Sequence, residues 1–218
     1  MKRLYILIAC EESQAECIAF RALGHYAYSC DVQPCSKFGC PSWHIHGDVV
    51  PYLHGRKFFH VQSGEYKIVP RWDLIIAHPP CTFLCRLSSV QMIHRGVLDE
   101  QRFAQMQEAK SFWLECYNAE APFVAVENPV PMARAGLPKP SFYADPSWFG
   151  APHTKKTCYW VRNLPPLMPK FDAAGQPSLV ARRRGKYRSR TEPLLACAIA
   201  QQWSDYIIKC TVDGPVRK

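Results

Sequence analysis

The chain has 218 residues, of which 48% are hydrophobic and 21% are charged, and this composition excludes a disordered or fibrous chain. Its length fits one α/β domain, which we expect to span residues 1–218, and no segment has the roughly 20 apolar residues of a membrane span. The formal net charge of +9 favours a polyanionic partner such as nucleic acid. A basic protein with a merely solvated surface would carry the same charge.

The eleven cysteines indicate the redox environment. Several lie in apolar segments, including Cys10 and Cys116. The apolar stretch 4–10 leads directly into Glu11 and Glu12 without a small-residue cleavage site, so we interpret it as a strand and not as a secretory signal. An odd number of cysteines without such a signal favours a reduced, cytoplasmic protein over a disulfide framework.

The first part of the chain predicts a strand, a loop, a helix and a second strand. The strand covers Leu4–Ala9, the helix runs from about Ala15 to Leu23 and ends at Gly24, and the second strand covers Tyr26–Cys30. Asp31 follows directly. An acid at the end of the second strand is placed to bind the ribose hydroxyls of a nucleoside cofactor, and a solvent-facing aspartate is the alternative.

The next segment contains Cys35, Cys40, His44 and His46 in close succession. A zinc site is one interpretation, but the spacing fits no common zinc finger. We therefore interpret these as loop residues and predict no metal. Within residues 51–70, two short segments flank a Ser-Gly pair, and this pattern predicts a β-hairpin without chemistry of its own.

The most informative stretch is Leu74–Ala77 with the residues that follow it. Four apolar residues bounded by Pro79 and Pro80 predict a buried parallel strand with a stiff loop behind it. Cys81 then lies at the carboxyl end of a central strand, where open α/β sheets bind ligands. The alternative is a small buried apolar residue, the usual fate of a free cysteine.

A second apolar strand, Phe123–Val126, ends in Glu127 and Asn128. A glutamate rarely follows a fully buried strand without a role, because burying a charge is costly. Apolar residues at helical spacing in 98–119 predict the crossover helix between the two strands. We predict an ordered loop for 130–150, which is rich in proline and aromatic residues.

A strand ending in Pro79-Pro80-Cys81 and a later strand ending in Glu127-Asn128 together resemble the C5-specific DNA cytosine methyltransferases, most closely the small phage-type members. The resemblance implies a Rossmann-like class I methyltransferase fold, which is α/β with a mostly parallel twisted sheet and helices on both faces. It implies transfer of a methyl group from S-adenosylmethionine to cytosine C5 of DNA, with base flipping. Cys81 is then the nucleophile, Glu127 holds the cytosine ring, and Asn128 and Pro80 shape the loop around the cysteine.

The same resemblance implies a cofactor site. The family carries a glycine-rich loop after its first strand, whereas this chain has an acidic loop and no glycine between residues 4 and 23. Such a loop suits the ammonium group of the methionine moiety. The residues expected to contact the cofactor are Cys10, Glu11, Glu12, Ser13, Gln14, Asp31, Val32, Asp48, Val49, His78, Pro79 and Thr191.

Residues 149–161 resemble a further family motif that leads into a strand, with His153, Lys155 and Thr157 in place of a glutamine and two arginines. Lys155 is therefore the best candidate to contact the cytosine oxygen. Pro193–Ile208 predicts a helix with proline in its first turn, similar to the last motif of the family, which returns to the cofactor pocket.

Larger members of the family carry a long target-recognition region, for which only residues 163–187 remain here, a reduced basic region. The residues expected to contact DNA are Arg86, Arg182, Arg183, Arg184, Lys186, Arg188 and Arg190. A solvated basic loop is the alternative for this cluster. Two other functions remain open: the same chemistry on a free deoxycytidine nucleotide or with a modified one-carbon donor, and a non-catalytic domain that only binds DNA.

Overall fold

The computed structural model describes residues 2–86, 92–94, 97–171 and 190–212. The strands are β1 (Tyr5–Ala9), β2 (Tyr26–Asp31), β3 (His44–His46), β4 (Phe58–His60), β5 (Tyr66–Ile68), β6 (Leu74–Ala77), β7 (Ile93–His94), β8 (Val97–Leu98), β9 (Phe123–Asn128), β10 (Phe142–Ala144) and β11 (Thr157–Arg162). The helices are α1 (Ala15–Ala22), α2 (Val50–Leu53), α3 (Glu100–Tyr117) and α4 (Pro193–Val212), with short 3₁₀ turns at Pro41–Trp43, Ala133–Ala135 and Pro146–Phe149.

Seven strands form one sheet in the order β10-β11-β9-β6-β1-β2-β3. The pairs from β9 to β3 are all parallel, whereas β11 pairs antiparallel with both β9 and β10. In chain order, the parallel strands β1, β2, β3, β6 and β9 are the first to the fifth of this sheet. Side by side they stand in the order 3-2-1-4-5, which is a doubly wound order. The strand order therefore reverses between β1 and β6, and such a switch point opens a crevice at the carboxyl ends of the two strands.

The sheet has helices on both faces because its strands are apolar on both sides. Ile6 and Ile8 of β1 pack with residues of α1 and α4, whereas Leu7 and Ala9 face the cluster that contains α3. This alternation follows the two-residue period of a strand. The architecture confirms the predicted fold class: α/β, with a mostly parallel sheet and helices on both faces.

Most predicted elements are confirmed. The first helix ends before Gly24, which has a φ of +85° that favours glycine. The crossover helix begins after Asp99, whose side chain accepts a hydrogen bond from the main-chain N–H of Arg102. The hairpin within 51–70 is the antiparallel pair β4–β5.

Two local expectations are wrong. His44–His46 forms the edge strand β3, although the segment was interpreted as loop, and Phe142–Ala144 forms β10 within the predicted loop 130–150. Each of these strands has only three residues, too few for a local hydrophobic period. They are stabilised by pairing with β2 and β11, and this pairing depends on the assembled sheet.

The segment with the candidate metal ligands is held by hydrogen bonds to protein groups. The Nδ1 atom of His44 lies 2.8 Å from the hydroxyl of Ser29, and Nε2 lies 2.9 Å from the carbonyl oxygen of Gln33. In the part of the chain that the structure describes, no group of three or more His, Cys, Asp or Glu side chains is arranged to hold a metal ion.

Each of the eleven cysteines is a free thiol. Among the helices of the described ranges, none has the length and apolar character to cross a membrane.

Candidate active site

The loop that carries Cys81 and the end of β9 leave the sheet at the same edge. Strands β6 and β9 are adjacent and parallel, with Ala77 opposite Val126, so the residues after Ala77 lie beside Glu127 and Asn128. The main-chain N–H groups of Leu84 and Cys85 both donate to the carbonyl oxygen of Cys81 at 3.0 Å, which closes a tight turn after it. The structure therefore brings Cys81 and Glu127 together beside the switch point.

The Cys81 thiol is half-buried and interacts with two neighbours. A hydrogen bond with Cys85 and burial raise the pKa of Cys81 well above its ordinary value, and the negative charge of Glu127 raises it further. The thiol is therefore protonated at neutral pH in the protein without substrate.

Glu127 lies beside a histidine that the sequence placed in the cofactor site. The Nδ1 atom of His78 is 3.1 Å from Oε2 of Glu127, and Nε2 is 3.2 Å from Oε2 of Glu16. Burial opposes a charged Glu127, but the hydrogen bond from His78 and the positive charge of Lys155 lower the pKa of the Glu127 carboxyl. Burial likewise opposes a charged imidazole, but Glu16 and Glu127 raise the pKa of His78 well above its ordinary value.

The first acidic residue of the β1 loop is turned inward. The Glu11 carboxylate accepts hydrogen bonds from the main-chain N–H of Glu16 at 2.7 Å and of Cys17 at 3.3 Å, and so it caps helix α1. Burial and the charge of Glu16 raise the pKa of Glu11 to about 8. This carboxyl group is engaged by the helix, and its contact with a cofactor ammonium group stays a prediction.

The second acidic residue pairs with a residue expected to contact DNA. The Arg190 guanidinium lies 3.2 Å from the Glu12 carboxylate and donates to the Ser36 hydroxyl at 2.7 Å. Ser36 in turn donates to Glu12. The Lys155 ammonium donates to the main-chain carbonyl of Arg190 at 3.2 Å. These contacts join the start of α4, the β1 loop and the approach to β11.

The ends of β1, β2 and β3 bring together three predicted cofactor residues. Burial and the charges of Asp31 and Asp48 raise the pKa of Cys10 to about 12, so both carboxylates lie near its sulfur. Val32, next to Asp31, has 72% of its surface exposed, whereas Val49 is buried. Carboxylates at adjacent strand ends suit the hydroxyl groups of a nucleoside.

Gln14 and Ser13 have structural contacts in the protein. The buried Gln14 amide donates to the Ser29 hydroxyl at 2.9 Å and exchanges hydrogen bonds with the main chain of Cys40, so it holds the neighbouring loop against α1. The Ser13 hydroxyl accepts from the N–H of Ala15 at 3.5 Å. Both polar groups therefore have protein partners, and their contact with a cofactor stays a prediction.

The DNA-contacting residues are described only in part. Arg182, Arg183, Arg184, Lys186 and Arg188 lie outside the described residues. Arg86 is exposed, and its main-chain N–H donates to the carbonyl of Val130 at 2.9 Å. Thr191 is half-buried beside Arg190.

Glu16 is the residue of this site that sequence reasoning missed. Its side chain is completely buried on α1, on the helix face that also carries Phe20. A carboxylate on the apolar face of a helix is unusual, and this was the available signal. Its partner His78 is 62 positions away in the chain, so no local pattern connects the two.

Comparison with known proteins gives likenesses to solved structures but no match in sequence. No protein-family model and no curated protein sequence matches this chain. Among solved structures, it is similar to a proposed DNA modification methyltransferase encoded within a prophage of E. coli, with a TM-score of 0.43 and 14% sequence identity. The match covers 81% of this chain and 53% of the other, so this chain spans about half the length of that protein. A likeness at this level has no bearing on activity, and the functional argument depends on the site itself.

Proposed function

We propose that this protein is an S-adenosylmethionine-dependent DNA methyltransferase that methylates C5 of cytosine through a covalent adduct with Cys81. One observation supports the proposal above all. Cys81 follows β6 and Glu127 lies at the carboxyl end of the adjacent parallel strand β9, beside the switch point of a doubly wound sheet, where ligands bind. They are close enough for the Glu127 charge to act on the Cys81 thiol.

The proton states of these two groups suit addition to a pyrimidine. Cytosine C5 is a weak nucleophile, and a sulfur added at C6 makes it enamine-like. The Cys81 thiol gives its proton to the ionised Glu127 as the sulfur–C6 bond forms. Glu127 then delivers that proton to N3, so the ring accepts the electron pair without net charge.

The second half of the reaction restores the aromatic ring. The C5 electron pair would take up the methyl group of bound S-adenosylmethionine, and the electrons of the broken sulfur–methyl bond would remain on the departing thioether. A base then removes the C5 proton, and the electron pair of that bond re-forms the C5–C6 double bond. The sulfur–C6 bond breaks, N3 loses its proton, and Cys81 leaves with the bonding pair.

The residues at the ends of β1, β2 and β3 fit the nucleoside half of the cofactor. Asp31 and Asp48 would hold its hydroxyl and adenine groups beside Cys10. We do not assign the ammonium group to Glu11 or Glu12, because their carboxylates are engaged by α1 and by Arg190.

DNA is the substrate that the charge of the chain favours. The formal net charge of +9 suits phosphate contacts, and the target base must leave the duplex to reach Cys81. We propose that Lys155, whose positive charge lowers the pKa of the Glu127 carboxyl, contacts the cytosine oxygen. We propose that residues 1–218 act as one catalytic domain with a reduced basic region at 163–187.

The test compares substrates with one labelled cofactor. Purified protein is incubated with S-adenosylmethionine carrying a tritiated methyl group and with duplex DNA, single-stranded DNA or deoxycytidine monophosphate. Label should enter DNA, disappear in Cys81→Ser and persist in Cys197→Ser, which changes an exposed cysteine of α4. Label only in the mononucleotide would instead assign the nucleotide reaction. DNA binding without label in any substrate would assign a non-catalytic domain.

A further inference from the structure

His78 lies between two carboxylates from different parts of the fold. Its Nδ1 atom is 3.1 Å from Glu127 at the end of β9, and its Nε2 atom is 3.2 Å from Glu16 on α1. The His78 side chain is 10% exposed, and the Glu16 side chain is 0% exposed. The ring therefore bridges the sheet edge and the helix with both of its nitrogen atoms.

Glu16 has an ionic partner but no well-formed hydrogen bond. Within the described residues, neither of its side-chain oxygens has hydrogen-bond geometry to any group, including Nε2 of His78. A buried carboxylate in such a position is ionised only if a cation lies beside it. A buried ion pair is a poor source of stability, so stability by itself does not account for a carboxylate at position 16.

We propose that His78 is a positioning residue for Glu127, held as an imidazolium by Glu16, which keeps the Glu127 carboxylate ionised and in one orientation for the reaction. The inference deepens the proposed function and rests on it. Only an ionised Glu127 accepts the proton of the Cys81 thiol. The N–H at Nδ1 of His78 donates to Oε2 of Glu127, so the imidazolium supplies both the charge and the orientation.

Other charged or titratable groups surround Glu16, His78 and Glu127, and the effect of each follows from its charge. Glu11 adjoins Glu16 from the β1 loop, and its proton relieves the repulsion between the two carboxylates. From the β11 side, Lys155 adds positive charge near Glu127. Burial, Glu127 and Glu16 raise the pKa of Tyr159 well above its ordinary value, so this group is a neutral hydroxyl. Cys81 is protonated, which leaves His78 and Lys155 as the cations beside Glu127 in the described residues.

Steady-state kinetics of DNA methylation test the role. We measure kcat and KM from about pH 5 to about pH 9 for the wild type, His78→Asn, Glu16→Gln and the double variant. The Asn amide retains a donor toward Glu127 but not the charge. We expect His78→Asn to lower kcat about tenfold or more, leave KM for DNA nearly unchanged, and move the acidic limb of the pH profile to higher pH, because Glu127 loses its cation.

The Glu16→Gln and double variants show whether Glu16 acts on Glu127 through His78 or independently of it. Glu16→Gln should move the acidic limb in the same direction by a smaller amount, because Glu16 acts through His78. The double variant should be no worse than His78→Asn alone. His25→Asn is the matched control, since it also removes a buried histidine but at the opposite edge of the sheet. It should lower stability to urea and leave the acidic limb in place.

A spectroscopic measurement decides the charge state without any reaction. In protein labelled with ¹⁵N-histidine, the signal of His78 should show both ring nitrogens protonated at neutral pH. That signal should be absent in His78→Asn and should titrate at lower pH in Glu16→Gln. A neutral His78 at neutral pH, or a full kcat with an unmoved acidic limb in His78→Asn, overturns the inference. A wild type that methylates nothing overturns the proposed function, and the spectrum still decides whether Glu16 holds His78 as an imidazolium.

Discussion

The side-chain amide of Asn128 donates a hydrogen bond to the carbonyl oxygen of Pro79 at 3.0 Å, and this bond ties the end of β9 to the loop that carries Cys81. Pro79 and Pro80 have no main-chain N–H, so that stretch of the loop has acceptors but no donors. Asn128 is 1% exposed, which protects the bond from water. The rigidity of the loop thus comes from the prolines together with a residue 47 positions after Cys81.

Changing Asn128 should destabilise the fold in a defined order. Asn128→Ala leaves the buried Pro79 carbonyl unpaired and should lower the free energy of unfolding by about 1–3 kcal/mol. Asn128→Asp should cost more, because it places a carboxylate against a carbonyl oxygen in the interior. Urea unfolding measures both. The control is Asn163→Asp, which changes an exposed asparagine that donates to Pro122. Equal losses for the two Asp variants would contradict this interpretation.

The hydrogen bond between Cys81 and Cys85 should restrain the reactivity of Cys81. It is the largest influence that raises the pKa of the Cys81 thiol, so Cys85→Ala should lower that pKa. Alkylation of Cys81 by iodoacetamide near neutral pH, followed by peptide mass spectrometry, should become about threefold faster for each unit by which the pKa falls, because the thiolate fraction rises while the nucleophilicity of the thiolate decreases. Cys85→Ser retains a hydrogen-bonding group and should change the rate less. An unchanged rate in Cys85→Ala would show that burial and the charge of Glu127, without Cys85, control the thiol.

Stability should fall as the pH rises through the range in which Glu11 titrates. The folded-state pKa of Glu11 is raised from 4.5 to about 8, so between these values the folded chain holds a proton that the unfolded chain has lost. The free energy of unfolding should therefore decrease from about pH 4.5 to about pH 8. Glu11→Gln retains the helix cap through its amide oxygen and should flatten this slope in urea titrations.

The control for that experiment is Glu65→Gln. Glu65 is fully exposed and hydrogen-bonded to Lys67, which lowers the pKa of its carboxyl group. Glu65 is therefore ionised in both states above about pH 5. Its substitution should leave the slope above about pH 5 as steep as in the wild type. A Glu11→Gln variant with the wild-type slope would assign the proton to another group.

The Arg190–Glu12 pair should contribute a modest, salt-dependent stabilisation. Arg190 is 32% exposed and Glu12 is 13% exposed, so solvent screens their attraction. A double-mutant cycle with Glu12→Gln and Arg190→Gln should give a coupling free energy of about 1 kcal/mol at low salt, decreasing as salt is added. Arg190→Gln alone should leave the salt dependence of DNA binding nearly unchanged, because the guanidinium already has a carboxylate partner. A clear loss of salt dependence would return Arg190 to the DNA-contacting set.

The elements predicted correctly from sequence are those with a strong local pattern. Leu74–Ala77 is confirmed as a strand because four apolar residues bounded by prolines permit little else. The crossover helix is confirmed because Met106, Trp113 and Cys116 recur at helical spacing and are buried together. The short strands β3 and β10 lack such a pattern, so their structure depended on neighbours that sequence does not specify.

In the site too, what a local pattern determines could be predicted from sequence, and what depends on contacts between distant residues could not. Sequence order and strand ends were sufficient to place Cys81, Glu127 and Asp31 at one edge of a parallel sheet, whereas Asp48 was assigned only from the family resemblance. The sequence did not show that Glu11 caps α1 or that Arg190 pairs with Glu12, because both contacts depend on side-chain directions.

The sequence by itself determined the α/β class and the edge at which the reactive side chains emerge, since both follow from apolar periods and from where strands stop. Only the tertiary structure decided the electrostatics of that edge. Whether Glu16, His78 and Glu127 are charged depends on distances of about 3 Å between residues that are far apart in the chain, and on how completely water is excluded from them. Packing sets both quantities, and no local stretch of sequence encodes them.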